Sequence, residues 1–469
     1  MAGRDTAGNK SDQSLHERVR AVWIRVLALA WPIMAEQTTR TLMRTVDIIV
    51  TGLLSPAAIA AIGLADLYAR LPLRIGLGLG GGAIALSSQD TGSGATDTRD
   101  EAITQAVLLG AVAGIPFVIF GFLLSELAIE VLGAEADVVT YGAIYLAIIM
   151  ATAPARHVSI IAGRALQGTG DTVSPMVVNV IANLLNVSGS VVLGLGLFGA
   201  PRLEVVGVGL ATAVANVFTA LALCVVIAGP WREAGFVRPT DPVIARQLLT
   251  VSAPRVAEGM VATAIEFPFN SILLMISTEA NAAYQIGRRV YQQFSSPLSR
   301  GYNVAASIVV GQYLGEGDPA EARFNGWAIA GLGLATVGVI GILLAIFAET
   351  FVSVFTSDPK TADHAVTFAQ VYGISAPLLV VYIAIAGSLQ GASETTIPFL
   401  ARASGLFLWY LCFSYIAAIQ LGYGVVGVAA GIFLYYLWAL LVVAWGYHSS
   451  DWAGKAARMM AERGSVSDD

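Results

Sequence analysis

Residues 164–175 read RALQGTGDTVSP, and residues 387–398 read GSLQGASETTIP. Each copy places Leu-Gln-Gly first, an acid followed by threonine next and a proline last, and the second starts 223 residues after the first (387 − 164 = 223). Nearly the same offset recurs along the chain. Ala30-Trp31-Pro32 with Ala35-Glu36 is echoed by Ser252-Ala253-Pro254 with Ala257-Glu258. Gln89, Gly92 and Gly94 are echoed by Gln312, Gly315 and Gly317, and Val205-Val206-Gly207-Val208 by Val425-Val426-Gly427-Val428. Ordered matches at one spacing mean that the chain consists of two homologous halves.

Composition names the solvent of those halves. The 469 residues are 56% hydrophobic and 12% charged, with a mean hydropathy of +0.72; a soluble domain carries roughly 25% charge. Apolar runs fall at about 26–54, 57–89, 102–126, 138–160, 173–197, 204–229, 246–276, 280–311, 325–348, 363–388, 397–420 and 424–447, each near or above the ~20 residues that a bilayer core requires. The expected fold is an all-α membrane protein with twelve transmembrane helices in two homologous six-helix bundles. An even number of helices per half gives both halves one orientation, with their pseudo-two-fold axis along the membrane normal.

The expected organisation is a tail at 1–25, an N-terminal lobe at 26–230, a linker at 231–245, a C-terminal lobe at 246–447 and a tail at 448–469. Arginine and lysine set the side. With the N-terminus inside, the inner segments hold fifteen basic residues, Arg156 and Arg164 among them, against Arg202 and Lys360 outside. Both termini are therefore expected in the cytoplasm. Residues 1–25 lack an apolar core and read as no signal peptide. A net charge of −6 with no basic block excludes a nucleic-acid partner. Cys224 and Cys412 sit in apolar runs, the four histidines show no ligand spacing, and the glycines at 76–82 lack the Lys-Ser/Thr of a phosphate loop. No metal or cofactor is expected, and no polar loop is long enough to house a membrane enzyme's catalytic domain.

The polar residues inside the spans carry the function. Nine arginines lie there: Arg40, Arg44, Arg70, Arg74, Arg255, Arg288, Arg289, Arg300 and Arg402. Each charge at the bilayer centre costs about 2.5–3.5 kcal/mol on insertion scales, so such residues face protein or water. Glu36, Arg40, Arg44 and Asp47 form one stripe on the first helix; Asn179, Asn183, Asn186 and Ser190 form another on the fifth. Arg255, Glu258 and Glu266 mark the seventh. These stripes read either as the wall of a central aqueous cavity or as interhelical pairing, and for Glu36 with Arg40 and for the asparagines both readings stand. Glu258 reads as the partner of Arg255. Asp47 is the deepest, most apolar-flanked acid. In the doubled stretch, Thr172 and Thr395 are candidate caps of the next helix, beside Asp171 and Glu394. Residues 452–463 read as an amphipathic helix on the inner leaflet.

Gln167-Gly168-Thr169-Gly170-Asp171-Thr172 with Pro175 and Asn186, then Gly207-Val208-Gly209-Leu210-Ala211-Thr212, together with Val46-Asp47, Ala57 to Gly63, and Gly133-Ala134-Glu135 leading to Tyr145-Leu146, resemble the multidrug and toxic compound extrusion (MATE) transporters over about residues 25–447. The resemblance implies a monomeric antiporter of the cell membrane. It would export amphipathic organic cations in exchange for H+ or Na+ through a V of two lobes that opens alternately to each side. It also implies that Asp47 takes the coupling cation (Na+ included) within a network of Tyr145, Asn186, Ser190 and Thr212, and that Pro32 bends the first helix. Relatives often carry an acid where Ser190 stands, which weakens the case for two-carboxylate Na+ binding. Glu266 matches one member of a C-terminal cation site whose other acid is absent from 363–388. Substrate-cavity candidates are Glu36, Arg40, Arg44, Asn179, Asn183 and Glu266. The rival reading is a lipid-linked oligosaccharide flippase of the same wider superfamily, which favours a cationic cavity.

Overall fold

The computed structural model describes residues 14–230 and 233–465, so Trp231 and Arg232 of the expected linker, and most of both expected tails' extremities, lie outside the described residues. No strand occurs among the described residues. Twelve helical spans follow in order: α1 Leu15–Gly52, α2 Pro56–Ser93, α3 Thr96–Glu130, α4 Ala136–Ala151 continuing as Ala153–Gly168, α5 Val173–Leu195, α6 Glu204–Ala228, α7 Pro242–Ile276, α8 Thr278–Gly315, α9 Pro319–Ile346, α10 Pro359–Gly391, α11 Thr396–Gln420 and α12 Gly424–Ser449. A single turn, Ala348–Val352, precedes α10, and a last helix, α13 (Trp452–Glu462), closes the chain. Among the described residues, nine of the spans, or ten with the bent α4, are long and apolar enough to cross a membrane. The other two are α1, which carries eight charged residues, and α8, whose polarity comes mostly from Gln, Asn, Ser and Tyr.

Local chemistry starts and bends these helices. Ser14 and Glu17 make a reciprocal capping box on α1, the Ser14 N–H donating to Glu17 at 2.9 Å. Asp241, Ser277, Asp318 and Asp358 cap α7, α8, α9 and α10 by accepting from backbone N–H groups. The chain bends by 46° within α4, just before Pro154, whose missing N–H cannot continue the ladder. Gly114 of α3 allows the close approach there, since a Cβ on it would stand 2.5 Å from Pro154. Through Pro32, α1 continues as one helix.

Each bundle holds the first turns of the other's leading helix. Val22, Val26 and Ala30 of α1 are buried among Tyr302, Ala305 and Val309 of α8 and Ile329 of α9. Conversely Ile244, Leu248 and Val251 of α7 are buried among Leu86, Ile103, Leu166 and Leu223 of the first bundle. At this end α2 and α8 touch backbone to backbone: a Cβ on Gly92 would lie 2.0 Å from the Gln312 carbonyl, and one on Gly315 equally close to that of Gln89. Hydrogen bonds continue the contact as far as Arg74 to Thr263 and Arg70 to Glu266, each 3.1 Å. Among the described residues, the other hydrogen bonds between the bundles, such as Arg18 to Glu321, Trp23 to Ala328, Arg25 to Gln312 and Gln89 to Gly391, all lie nearer than these two to the end that carries the termini, so the bundles join at that end.

Three sequence expectations change here. First, α13 does not present its apolar face to lipid: Trp452, Ala456, Met459 and Met460 are buried in protein, and Met460 and Met459 pack into the second and first bundles respectively. Arg463, just after it, forms a fully buried ion pair with Asp90 at 2.6 Å, joined by Gln89, Gln247 and Ser465. Second, the doubled stretch is capped by its acids. Asp171 accepts from Ser174 N–H at 2.9 Å and Glu394 from Thr396 N–H at 2.9 Å, while neither threonine caps. Third, Arg164 lies within α4 instead of a loop, because the second segment of that helix runs Ala153–Gly168.

Candidate functional site

Between the bundles lies a cavity of about 440 Å3. Its walls come from α2, α4, α7, α8, α10, α11 and α12. Five arginines line it (Arg74, Arg164, Arg255, Arg300 and Arg402), and Glu258 is its one acidic residue among those described. Glu258 receives Arg402 at 2.8 Å, not Arg255 as the helix spacing suggested; Arg255 donates to Gln390 instead. Arg164 donates to Gln167 at 3.1 Å, Arg74 to Thr263, and no described residue accepts from Arg300. Tyr291, Tyr382, Tyr435 and Tyr436 supply an aromatic wall. Small residues make room: a Cβ on Gly81 would stand 2.5 Å from the Arg255 side chain.

A side chamber of about 40 Å3 shares Leu77, Arg164 and Arg300 with this cavity and is lined by Glu36, Arg40 and Asn179. Those three are thus the cavity candidates that reach a hollow. Arg40 pairs with Glu36 at 3.4 Å, and Asn179 donates to the Pro175 carbonyl at 2.8 Å. Arg44, Asn183 and Glu266 line neither hollow. Glu266 is held instead by Arg288 at 2.9 Å and Arg70 at 3.1 Å. Of the five cavity arginines, the intramembrane inventory already contained four; Arg164 escaped it because the span was ended too early.

The second feature lies inside the first bundle, where Asp47 of α1, Tyr145 of α4, Asn186 and Ser190 of α5 and Thr212 of α6 come together. Asn186 is 2% exposed and donates to Thr212 Oγ1 at 3.0 Å. Tyr145 packs over α6 because Gly209 has no side chain: a Cβ there would meet its ring at 3.3 Å. Ser190 lies close enough to Asp47 for its hydroxyl to act on the carboxylate as a weak donor, but under strict hydrogen-bond geometry the buried Asp47 Oδ1, Ser190 Oγ and Asn186 Oδ1 have no partner among the described residues. Buried polar atoms ordinarily find partners, so three such oxygens clustered around one carboxyl group make this a candidate for receiving a proton or cation. Asp66, Arg44 and Arg156 are the charges around this group. Asp66 and Arg156 were not in the expected network, because sequence spacing shows a charge's helix but not the neighbour that it faces.

The sequence profile of the MatE family matches residues 32–192 and 254–416, one stretch in each half. The chain belongs to the MatE family. It is a multi-span membrane transporter, not an enzyme. A protein of Rhodopseudomonas palustris called a probable multidrug resistance protein NorM is 29% identical over 92% of both chains. Among solved structures, a variant of the Vibrio cholerae MATE transporter VcmN superposes with a TM-score of 0.85 at 17% identity, over 93% of this chain and all of that one. A MOP superfamily transporter from Pyrococcus furiosus, described as having a binding pocket of reverse polarity, superposes with a TM-score of 0.81 at 17% identity, over 93% and 96%. At such identities the two structures bear on the fold alone.

Proposed function

We propose that this MatE protein is a secondary antiporter that exports amphipathic toxic compounds through the central cavity in exchange for protons taken at Asp47. Residues 26–230 and 246–447 act as the moving lobes, and both termini are cytoplasmic. With the termini inside, the contact of α1 and α2 with α7 and α8 closes the cytoplasmic end, and the cavity faces outward. The multidrug resistance named for its relative supports export of such compounds. The observation that carries the reading is the trio of unpartnered oxygens at Asp47, Asn186 and Ser190.

Asp47 Oδ1 and Asn186 Oδ1 are both acceptors, and an ionised carboxylate offers neither a donor. A proton on Asp47 supplies one. That rearranges the α1–α5 contact, and α1 reaches into both bundles, so the change is passed to the contact that holds the cytoplasmic end shut. The returning, inward-facing state releases the proton. Three facing oxygens also suit Na+, and this second reading is separated by buffer composition. In inverted vesicles, imposed pH gradients in Na+-free buffer should drive transport of a carboxylate-bearing fluoroquinolone by the wild type, and Asp47→Asn should reduce it to the level of empty vesicles. Undiminished transport in that variant defeats the proposal; transport that appears only with Na+ selects the sodium reading. The organic cations that the resemblance implies fit the cavity poorly, because five arginines face one glutamate.

A further inference from the structure

We infer that the central cavity binds amphipathic organic anions, with a phosphate, sulfonate or carboxylate head between Arg164, Arg255 and Arg300 and an apolar body against the tyrosine wall. The inference rests on the export reading of this cavity and names its substrate class. It starts from charge bookkeeping. Arg402 is matched by Glu258 at 2.8 Å, which leaves Arg74, Arg164, Arg255 and Arg300. The first three are held by neutral groups, Thr263, Gln167 and Gln390. These orient a guanidinium and leave its charge in place. For Arg300 no described residue is an acceptor at all, and the charges that act on it are Arg164, Arg40, Glu36 and Arg255. Three of those four are cations, and Glu36 already receives Arg40.

Intramembrane charge of one sign, unpaired and facing a water-filled hollow, marks a ligand or ion path. Guanidinium groups converge on oxyanions through paired N–H donors, and the rigid fork makes this geometry specific to phosphate, sulfonate and carboxylate heads. A cation entering the same space would meet four arginines that have no carboxylate within ion-pair distance among the described residues, with Glu258, already paired to Arg402, as the one acid lining the cavity. The body's site comes from Tyr291, Tyr382, Tyr435 and Tyr436, which line the same cavity and offer aromatic surface to an apolar ligand. The head site draws on α4, α7 and α8 and the body site on α8, α10 and α12, so one ligand can engage both. Either a free organic anion or a lipid phosphate headgroup satisfies this chemistry.

The test uses the full chain in phosphatidylcholine nanodiscs, with carboxyfluorescein as anionic probe and ethidium as cationic probe, read by fluorescence anisotropy. Carboxyfluorescein should bind, and Arg300→Gln and Arg255→Gln should each weaken it by about ten-fold or more. Arg300→Lys, which keeps the charge, should fall between, and thermal melting reports whether each variant folds. Ethidium binding should not weaken in the glutamine variants. Loss of carboxyfluorescein binding on changing the lipid to phosphatidylglycerol would assign the site to a lipid headgroup and leave the anion class standing; no loss assigns it to free anions. Wild type that binds ethidium and not carboxyfluorescein, or folded glutamine variants that bind the anion unchanged, would overturn the inference. In vesicles the two readings separate: carboxyfluorescein bound but never moved by a pH gradient defeats the export reading alone, and ethidium moved through a site that rejects carboxyfluorescein defeats the anion reading alone.

Discussion

Asp47 and Phe269 hold the same place in the two halves, 222 residues apart (269 − 47 = 222), and their surroundings are opposites. Around Asp47, buried oxygens are left without partners. Around Phe269 the equivalent volume is packed with rings. Phe269 is 1% exposed and stacks on Tyr410 at a centroid distance of 3.9 Å, with Tyr284 edge-on at 5.2 Å. The Tyr284 and Tyr410 hydroxyls satisfy each other at 2.6 Å. Even the nearby acid is spent: Glu266 is gripped by Arg288 and Arg70. One duplicated scaffold thus carries a carboxylate among buried oxygens at Asp47 in one half and a closed aromatic core at Phe269 in the other. Of these two equivalent positions, only the first holds a group that can take up a proton.

That contrast can be broken. The largest effect is expected from the pair Asp47→Asn and Phe269→Ala. The first should remove coupled transport with little change in melting temperature. The second should destabilise the protein by about 4 kcal/mol, as large-to-small core changes do, with transport per folded molecule retained. Equal behaviour of the two in denaturation and transport assays would erase the distinction.

Next comes the tail that spans both halves. Arg463→Ala strands a buried Asp90 carboxylate and should cost about 3 kcal/mol in denaturant unfolding; adding Asp90→Asn should recover most of it. The doubled stretch gives the smallest effect. Thr395 Oγ1 donates to the Val251 carbonyl at 2.8 Å, whereas Thr172 has no such bond. Thr395→Ala should therefore cost about 1 kcal/mol more than Thr172→Ala by thermal melting.

The fold was legible because membrane helices obey a length rule and the two halves repeat each other, so the twelve apolar runs match the twelve helical spans. Errors arose where a run's polarity misstates its place. Arg164 falls between two apolar runs and reads as a loop residue, yet α4 carries it past a bend to face the cavity. The amphipathic face of α13 was visible at 452–463, but hydrophobicity cannot tell lipid from protein as its cover. The exchange of leading turns between α1 and α7 left no trace in sequence, because Val22, Val26, Ile244 and Leu248 suit either bundle. At the site, the Asp47 network was legible through resemblance and the cavity's arginines through their cost. Which arginine has a carboxylate partner depends on three-dimensional neighbours alone, as Glu258 shows by choosing Arg402 over Arg255.

The central claim, that one half carries the exchangeable charge at Asp47, is tested most directly by counting protons. Purified protein in weakly buffered detergent solution, mixed with a transported compound, should release about one proton per ligand bound, in Na+-free medium and read by a pH-sensitive dye. Asp47→Asn should bind the same compound and release none. Equal proton release from the wild type and from Asp47→Asn would contradict the account.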